Sequence, residues 1–226
     1  MPRNDPLPIA LHVLTAVTGL VDAVSFFGFG HVFTANMTGN VVFLGFAAAG
    51  APEVSMGRSS TSLAAFLVGA AFGGRLAATM ARAGRRRWLL TVAVIEAGLL
   101  FAAAAVSLGI DIASGQPLGR LYVVIGLTAL AMGVRNATVR QLGVPDLTTT
   151  VLTLTLTGMA AESSLAGGSN PRLRRRIVSV ALMLGGAAIG TVLVRMGIAL
   201  PLALSGACVL AATVAYADEP ARAAAV

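Results

Sequence analysis

The sequence contains little charge, no lysine and a single cysteine. Only 11% of its 226 residues are charged and 57% are hydrophobic, whereas soluble domains carry about 25% charged residues. A soluble helical bundle needs polar outer faces, and this chain has too few polar residues to build them. Cys208, standing alone, excludes a disulfide framework and a cysteine-based zinc site. Because no phosphate loop or nucleotide fingerprint occurs either, no cofactor, metal site or catalytic residue is predicted.

Long apolar runs dominate the chain, whose mean hydropathy is +0.86. Runs of about 18 or more apolar residues are typical of transmembrane helices. The segments are 7–28, 32–50, 60–80, 88–110, 118–140, 147–161, 177–196 and 198–216. The first run continues into Asp22 without a small-residue cleavage site, so it is predicted to be a retained span. The sequence predicts an all-α integral membrane protein with a single transmembrane domain, residues 1–226.

The second four segments resemble the first four. The stretch "GLVDAVSFF" at Gly19 aligns with "GVRNATVRQ" at Gly133, 114 residues later, and "LVGAAFGG" aligns with "LGGAAIGT". Similarity at a fixed period indicates an internal repeat. We therefore predict a duplication, with a first repeat over residues 7–110 and a second over residues 118–216.

The arginine clusters predict how the two repeats are oriented. Arg82–Arg87 and Arg172–Arg176 are dense clusters in short loops, and the positive-inside rule places both in the cytoplasm without invoking a nucleic-acid partner. Three segments separate them, so one segment must fail to cross. The sixth segment is short and rich in threonine, and by the repeat the second behaves likewise. The prediction is six effective crossings, two inverted repeats, and both termini on the cytoplasmic side of a bacterial inner membrane.

Two polar stretches, 30–42 and 147–158, occur within these non-crossing segments. In the first, polar residues take every second position: Thr34, Asn36, Thr38 and Asn40. Alternation favours extended backbone, and such backbone must be buried from lipid. We predict that the two stretches meet at the midplane and lead into half-helices at about 41–50 and 158–165. Threonines that bond back to the preceding helical turn are the alternative, favoured for the second stretch taken alone.

Several ionisable residues lie within apolar segments, where such groups are functional candidates by default. Asp22 is predicted to pair with Arg135 or Arg140, either as part of a site or as a structural lock between the halves. Glu96 is interpreted as a helix–helix hydrogen bond or a proton site. His31 begins the first polar stretch and could titrate near neutrality. Asp22, Glu96 and His31 are therefore the candidates for proton or ion coupling.

These features predict a transporter or channel in the lipid bilayer for a small solute or ion, with an anion slightly favoured. The predicted substrate-binding residues are Asp22, Thr34, Asn36, Thr38, Gly39, Asn40, Arg135, Asn136, Thr150 and Thr153. The competing hypothesis is a structural or assembly protein that transports nothing. An enzyme is not predicted, because Ser25 and His31 have no evident third group to orient a base. Pairs of glycines at GxxxG spacing predict close helix packing, and could also serve a homodimer.

The motif "F-x-A-N-M-T-G-N" and the preceding "D-A-x-S-F" resemble the YoaK-type family of small bacterial membrane proteins. The later "MGVRNA" at Met132–Ala137 is similar to the second block of that family. The resemblance implies about six spans and leaves the function unknown. It places seven residues in the family's motif blocks: Asp22, Asn36, Thr38, Gly39, Asn40, Arg135 and Asn136.

Overall fold

The part of the chain that the structure describes is helical. The computed structural model describes residues 7–143 and 152–223. Within these ranges it has eight α-helices: α1 Leu7–Gly28, α2 Met37–Ala48, α3 Met56–Thr79, α4 Arg85–Ser107, α5 Leu118–Leu142, α6 Leu152–Ala161, α7 Leu173–Val194 and α8 Ala199–Ala223. A short 3₁₀ turn follows α6, and Asp111 and Gln116 form an isolated β-bridge. Of the described helices, α1, α3, α4, α5, α7 and α8 are long and apolar enough to cross a membrane.

Arginines lengthen two helices beyond their apolar segments. Helix α4 begins at Arg85 and α7 begins at Leu173, each a few residues before the apolar run. Arginine is a good helix former, and its long side chain can lie along apolar surface while the guanidinium stays in water. The helices therefore continue into the arginine clusters, which hydropathy alone does not predict.

Two pairs of helices, α1 with α7 and α3 with α5, pack very closely through glycine. Gly186 of α7 lies against the carbonyl group of Ala16, and Gly190 lies against that of Leu20, so α1 and α7 run parallel. The equivalent contacts of α3 with α5 are Gly69 with Leu130 and Gly73 with Val134. A Cβ atom at Gly69 or Gly186 would overlap the facing carbonyl oxygen. The GxxxG spacing thus correctly predicts close helix packing.

Further extensive contacts join α4 to α5 and α8, and α8 to α1. Four large side chains of this central group, Leu100, Leu121, Ile125 and Leu202, are almost completely buried. They belong to one continuous apolar core with residues of α1. Helices α1, α4, α5 and α8 therefore form the centre of the molecule, and α3 and α7 flank it.

Two helices are too short to cross a bilayer. Helix α2 has 12 residues and α6 has 10, which correspond to about 18 and 15 Å against a hydrocarbon core of about 30 Å. Helix α2 packs on α3, and α6 packs on α7. Among the described residues, α2 and α6 do not contact each other. The prediction that the two polar stretches meet at the midplane is not met by this part of the chain.

The prediction of extended backbone is wrong for residues 37–42 of the first stretch and for the described residues, 152–158, of the second. Thr38 and Asn40 lie in α2, and Thr153 lies in α6. The irregular backbone is instead residues 29–36, between α1 and α2. A helix satisfies its own amides and carbonyls where water is scarce, and this requirement overrides the alternating pattern. The half-helices consequently begin earlier than predicted. The predicted site residue Thr150 lies outside the described residues.

Candidate functional site

The four central helices α1, α4, α5 and α8 enclose a cavity of about 40 Å³. Leu7, the first residue of α1, and Leu142, the last of α5, both line it, so the cavity reaches one end of the bundle. Helix α4 begins at this end with Arg85–Arg87, and α7, which is parallel to α1, begins there with its own arginines. Most of the lining is apolar, and its polar residues are Glu96, Arg135, Thr138, Thr213 and Tyr216.

A buried ion pair lies in the cavity wall. Arg135 on α5 and Glu96 on α4 are 1% and 2% exposed. Arg135 donates from Nε to Oε1 of Glu96 at 2.6 Å, and its Nη2 forms an ion pair with the same oxygen. Its Nη1 donates to Oγ1 of Thr18 at 3.0 Å and to the carbonyl group of Leu14 at 3.1 Å. The guanidinium therefore joins α1, α4 and α5.

The predicted pairing of Asp22 with Arg135 or Arg140 is wrong. Arg135 is turned toward Glu96 and Thr18, and Arg140 is exposed at the end of α5. Asp22 lies one turn beyond Thr18 along α1, where Arg135 attracts its carboxylate only at a distance. The packing of α5 against α4 and α1 decides which carboxylate the arginine reaches.

Asp22 instead holds the irregular segment 29–36. Its Oδ1 accepts a hydrogen bond from the backbone amide of Ala35 at 3.0 Å, and the amides of Thr34 and Asn36 interact with the same carboxyl group. These amides lie outside a helix, so they have no carbonyl partner one turn earlier, and buried amides need a partner. The carboxylate therefore stabilises backbone that would otherwise be unsatisfied. Its role in this state is to anchor the loop.

Asn40 fixes the same segment from the side of α2. It is fully buried, accepts from the amide of Phe33 at 3.0 Å and donates to the carbonyl group of Phe33 at 2.6 Å. It also donates to Oγ of Ser62 on α3 at 3.2 Å. One side chain thus satisfies both backbone groups of a loop residue and ties that loop to two helices.

The other predicted residues of the first stretch are scattered around this loop. Thr34 is buried, and its hydroxyl has no hydrogen-bond partner within the described structure. Asn36 precedes α2 without a capping side-chain bond, and Thr38 is exposed. A Cβ atom on Gly39 would meet the ring of Phe33. His31 is exposed, with its ring edge-on to Phe26. None of these residues lines the cavity.

The second stretch contributes no residue to the cavity in the described part of the chain. Asn136, which lies on α5 before this stretch, donates from Nδ2 to the carbonyl group of Met132 at 2.8 Å. Thr153 is exposed on α6, whereas Thr155 is buried. Among the predicted site residues, Arg135 and Glu96 are therefore brought together by α5 and α4, and Asp22 is brought to the backbone of Thr34 and Asn36.

Comparison with known proteins identifies the family. The family model described as "protein of unknown function (DUF1275)" matches residues 10–216. The chain belongs to this family. It is 31% identical over 159 residues to UPF0700 transmembrane protein YoaK of Bacillus subtilis (strain 168), a match that covers 68% of this chain and 66% of that protein's length. No solved structure matches. The YoaK-type resemblance of the motifs is confirmed, and the family description specifies no activity.

The sequence indicates Glu96 and Arg135 as separate candidates but does not indicate the site that they share. The cavity residues Thr138, Thr213 and Tyr216 are likewise not predicted from the sequence. A usable signal was present, because Glu96 and Arg135 are opposite charges deep within consecutive apolar segments, and consecutive helices commonly pack as neighbours. Thr18 lies one turn before Asp22 on α1. Its role as a ligand of the guanidinium needed the packing of three helices.

Proposed function

We propose that this protein is a transporter or channel for a small ion or solute, with an anion favoured. The observation that carries the proposal is the buried Glu96–Arg135 pair in the wall of a cavity that reaches one end of the bundle. Charged groups at membrane depth are costly, and those that persist usually line a substrate or ion path. The proposed site is this cavity, instead of a site between the two polar stretches.

We further propose that the fold is two inverted repeats that give six crossings. The glycine contacts support this proposal. Gly19 of α1 lies against Met183 of α7, and Gly133 of α5 lies against Phe66 of α3. The two glycines are 114 residues apart in the sequence, as are Ala16 and Leu130, the partners of the GxxxG glycines. Related helix pairs thus use aligned residues, as expected when a duplicated unit is packed about a pseudo-two-fold axis.

The orientation that fits this arrangement places the arginine end of the bundle in the cytoplasm. The clusters that begin α4 and α7 lie at one end of the bundle, as do the start of α1 and the end of α8. By the positive-inside rule, both termini then face the cytoplasm of a bacterial inner membrane. The cavity would accordingly face the cytoplasm in this state.

Flux measurements in proteoliposomes test the proposal. Chloride, nitrate and formate are suitable probes, because each is a small monovalent anion. Wild-type protein should accelerate uptake of at least one of them over protein-free vesicles, and Arg135→Gln should abolish that uptake. Arg140→Gln removes an exposed arginine from the same helix and should leave the flux unchanged. Equal flux in wild type and Arg135→Gln would remove the cavity from the transport path.

The second candidate function is a membrane structural or assembly protein. The observation that favours it is that Asp22 and Asn40 direct their hydrogen bonds to the protein's own loop. On this hypothesis Arg135 merely locks three helices. Arg135→Gln would then lower the melting temperature in detergent, while neither it nor the wild type would carry flux.

A further inference from the structure

We infer that the cavity takes up one small monovalent anion together with one proton, which Glu96 carries, so that transport is electroneutral. This inference rests on the proposed transport function and specifies its substrate class and coupling. It follows from the charge, the hydrogen bonding and the size of the cavity.

The charges of the site balance without a substrate. Arg135 contributes one positive charge and Glu96 one negative charge, and the surrounding wall is mostly apolar. An anion that entered beside this pair would leave one uncompensated negative charge in an apolar environment, which is strongly unfavourable. Protonation of Glu96 removes this excess. The carboxylate of Glu96 takes up the proton, and the anion replaces that carboxylate as the counter-ion of Arg135. The net charge of the site is therefore unchanged.

The hydrogen bonds allow this exchange without loss of the site. Arg135 is held through Nη1 by Thr18 and Leu14, whereas Glu96 engages only Nε and Nη2. When the carboxylate is protonated, Nη1 can stay on α1 while Nε and Nη2 turn to the anion. Both interactions of Glu96 use Oε1, so Oε2 is available to receive the proton.

The groups around Glu96 make it the proton carrier. Helix α5 presents Arg135, and α8 presents Thr213 and Tyr216 to the cavity. From α1, Asp22 has its carboxylate occupied by the amides of the 29–36 loop. His12, also on α1, faces Arg175 of α7 and does not line the cavity. Among the residues described, Glu96 is thus the acidic group that contacts the guanidinium.

The volume limits the anion. A cavity needs on the order of 10–15 Å³ to hold one water, so about 40 Å³ accommodates roughly three waters. Chloride, nitrate and formate fit a space of this size. The substrate class is therefore a small monovalent anion.

The test measures uptake of radiolabelled chloride or formate into proteoliposomes whose membrane potential is held at zero with potassium and valinomycin. A pH gradient with the alkaline side inside, imposed across wild-type vesicles, should drive accumulation, and uptake should carry no net current. Glu96→Gln should lose the response to the gradient. Glu53→Gln, which removes an exposed glutamate from the loop before α3, should retain it. Uptake that carries current, or that ignores the pH gradient, would overturn the inference while leaving the transport function standing.

A binding measurement distinguishes failure of the anion site from failure of the transport function. It can also be made on variants of reduced stability. In Glu96→Gln the guanidinium lacks its carboxylate, so nitrate should raise the melting temperature of this variant in detergent well above its effect on the wild type. The double variant Glu96→Gln/Arg135→Gln has no charge at the site and should show no such rise. If nitrate stabilises Glu96→Gln but wild-type vesicles carry no flux, the transport function fails and the anion site stands. If nitrate has the same effect on all three proteins, the anion site is refuted.

Discussion

Single residues set how closely the helices of this protein approach one another. Gly186 lies directly against the carbonyl group of Ala16, whereas its neighbour Gly185 has open space around it. Arg135 shows the opposite requirement, because its long side chain must cross from α5 to both α1 and α4. Adjacent positions of one helix can therefore differ completely in what they tolerate.

Gly186→Ala should destabilise the protein, and Gly185→Ala should not. The new methyl group at residue 186 must displace α1, and overpacking of this kind costs about 1–3 kcal/mol. At residue 185 a methyl group meets nothing and favours the helix. The melting temperature in detergent, measured for both variants under one condition, checks the prediction. Equal losses in the two variants would contradict the close contact of α1 with α7.

At the scale of elements, the loop 29–36 and helix α2 form one unit held by polar side chains. Asp22 binds the loop from α1, and Asn40 binds it from α2 and reaches Ser62 on α3. The loop could not be located from the sequence, because the alternating pattern extends past the point where α2 begins. What decided its position was the need of each amide for a partner, which is a property of the folded structure.

Asn40→Ala should loosen this unit. It leaves the amide and the carbonyl group of Phe33 without the bonds that Asn40 supplied, and unsatisfied buried groups cost about 1–3 kcal/mol each. Hydrogen exchange of residues 29–36 should accelerate, with little change in α5. Thr38→Ala, at an exposed position of the same helix, is the control and should leave the exchange unaltered. Unchanged protection in Asn40→Ala would show that the hydrogen bonds of Asn40 do not hold the loop.

The sequence predicts the helices of this protein better than it predicts the contacts between their side chains. The long apolar segments predict all six long helices, and the GxxxG spacing predicts the close contacts of Gly69 and Gly186. The partner of Arg135 could not be predicted, because Glu96, Asp22 and Thr18 all lie on plausible faces, and small rotations of α4 and α1 select among them. Helix content depends on local composition, whereas the site depends on the relative rotation of three helices.

At the scale of the whole molecule, the two ends of the bundle differ. Leu7, Ala10, Leu11 and Leu14 of α1 line the cavity at one end. The residues 114 positions later on α5 are Leu121, Val124, Ile125 and Thr128; all four are at most 1% exposed, and none of them lines the cavity. If the halves are inverted repeats, the second end is the closed counterpart of the first. Alternation between these two arrangements would expose the site to each side in turn.

Cysteine labelling should reveal the topology. In a Cys208→Ala background, Arg85→Cys and Arg174→Cys should react with an impermeant thiol reagent from the same side of the membrane. Glu53→Cys, in the loop before α3, should react from the opposite side, because α3 separates it from the first arginine cluster. Labelling of the two arginine positions from opposite sides would overturn the six-crossing arrangement.

The Cys208→Ala background also tests whether the second end of the bundle opens. Ala10→Cys should react from the arginine side, where its side chain lines the cavity. Val124→Cys should react more slowly and from the opposite side, through a minor population of the alternate state. Ala129→Cys is the control: its position is equally buried, and its counterpart Thr15 does not line the cavity. If neither Val124→Cys nor Ala129→Cys reacts with the thiol reagent, the second end does not open.

The pairing of α1 with α7 has a consequence for how the protein is made. Helix α1 leaves the ribosome before α7, yet α7 is the helix that packs most closely on it, so this contact is delayed until α7 is made. Until then, the face of α1 that carries Ala16 and Leu20 lacks the helix that covers it. We expect insertion to be the step at which this small protein depends on other factors, such as a membrane insertase that retains the early helices until the late ones arrive.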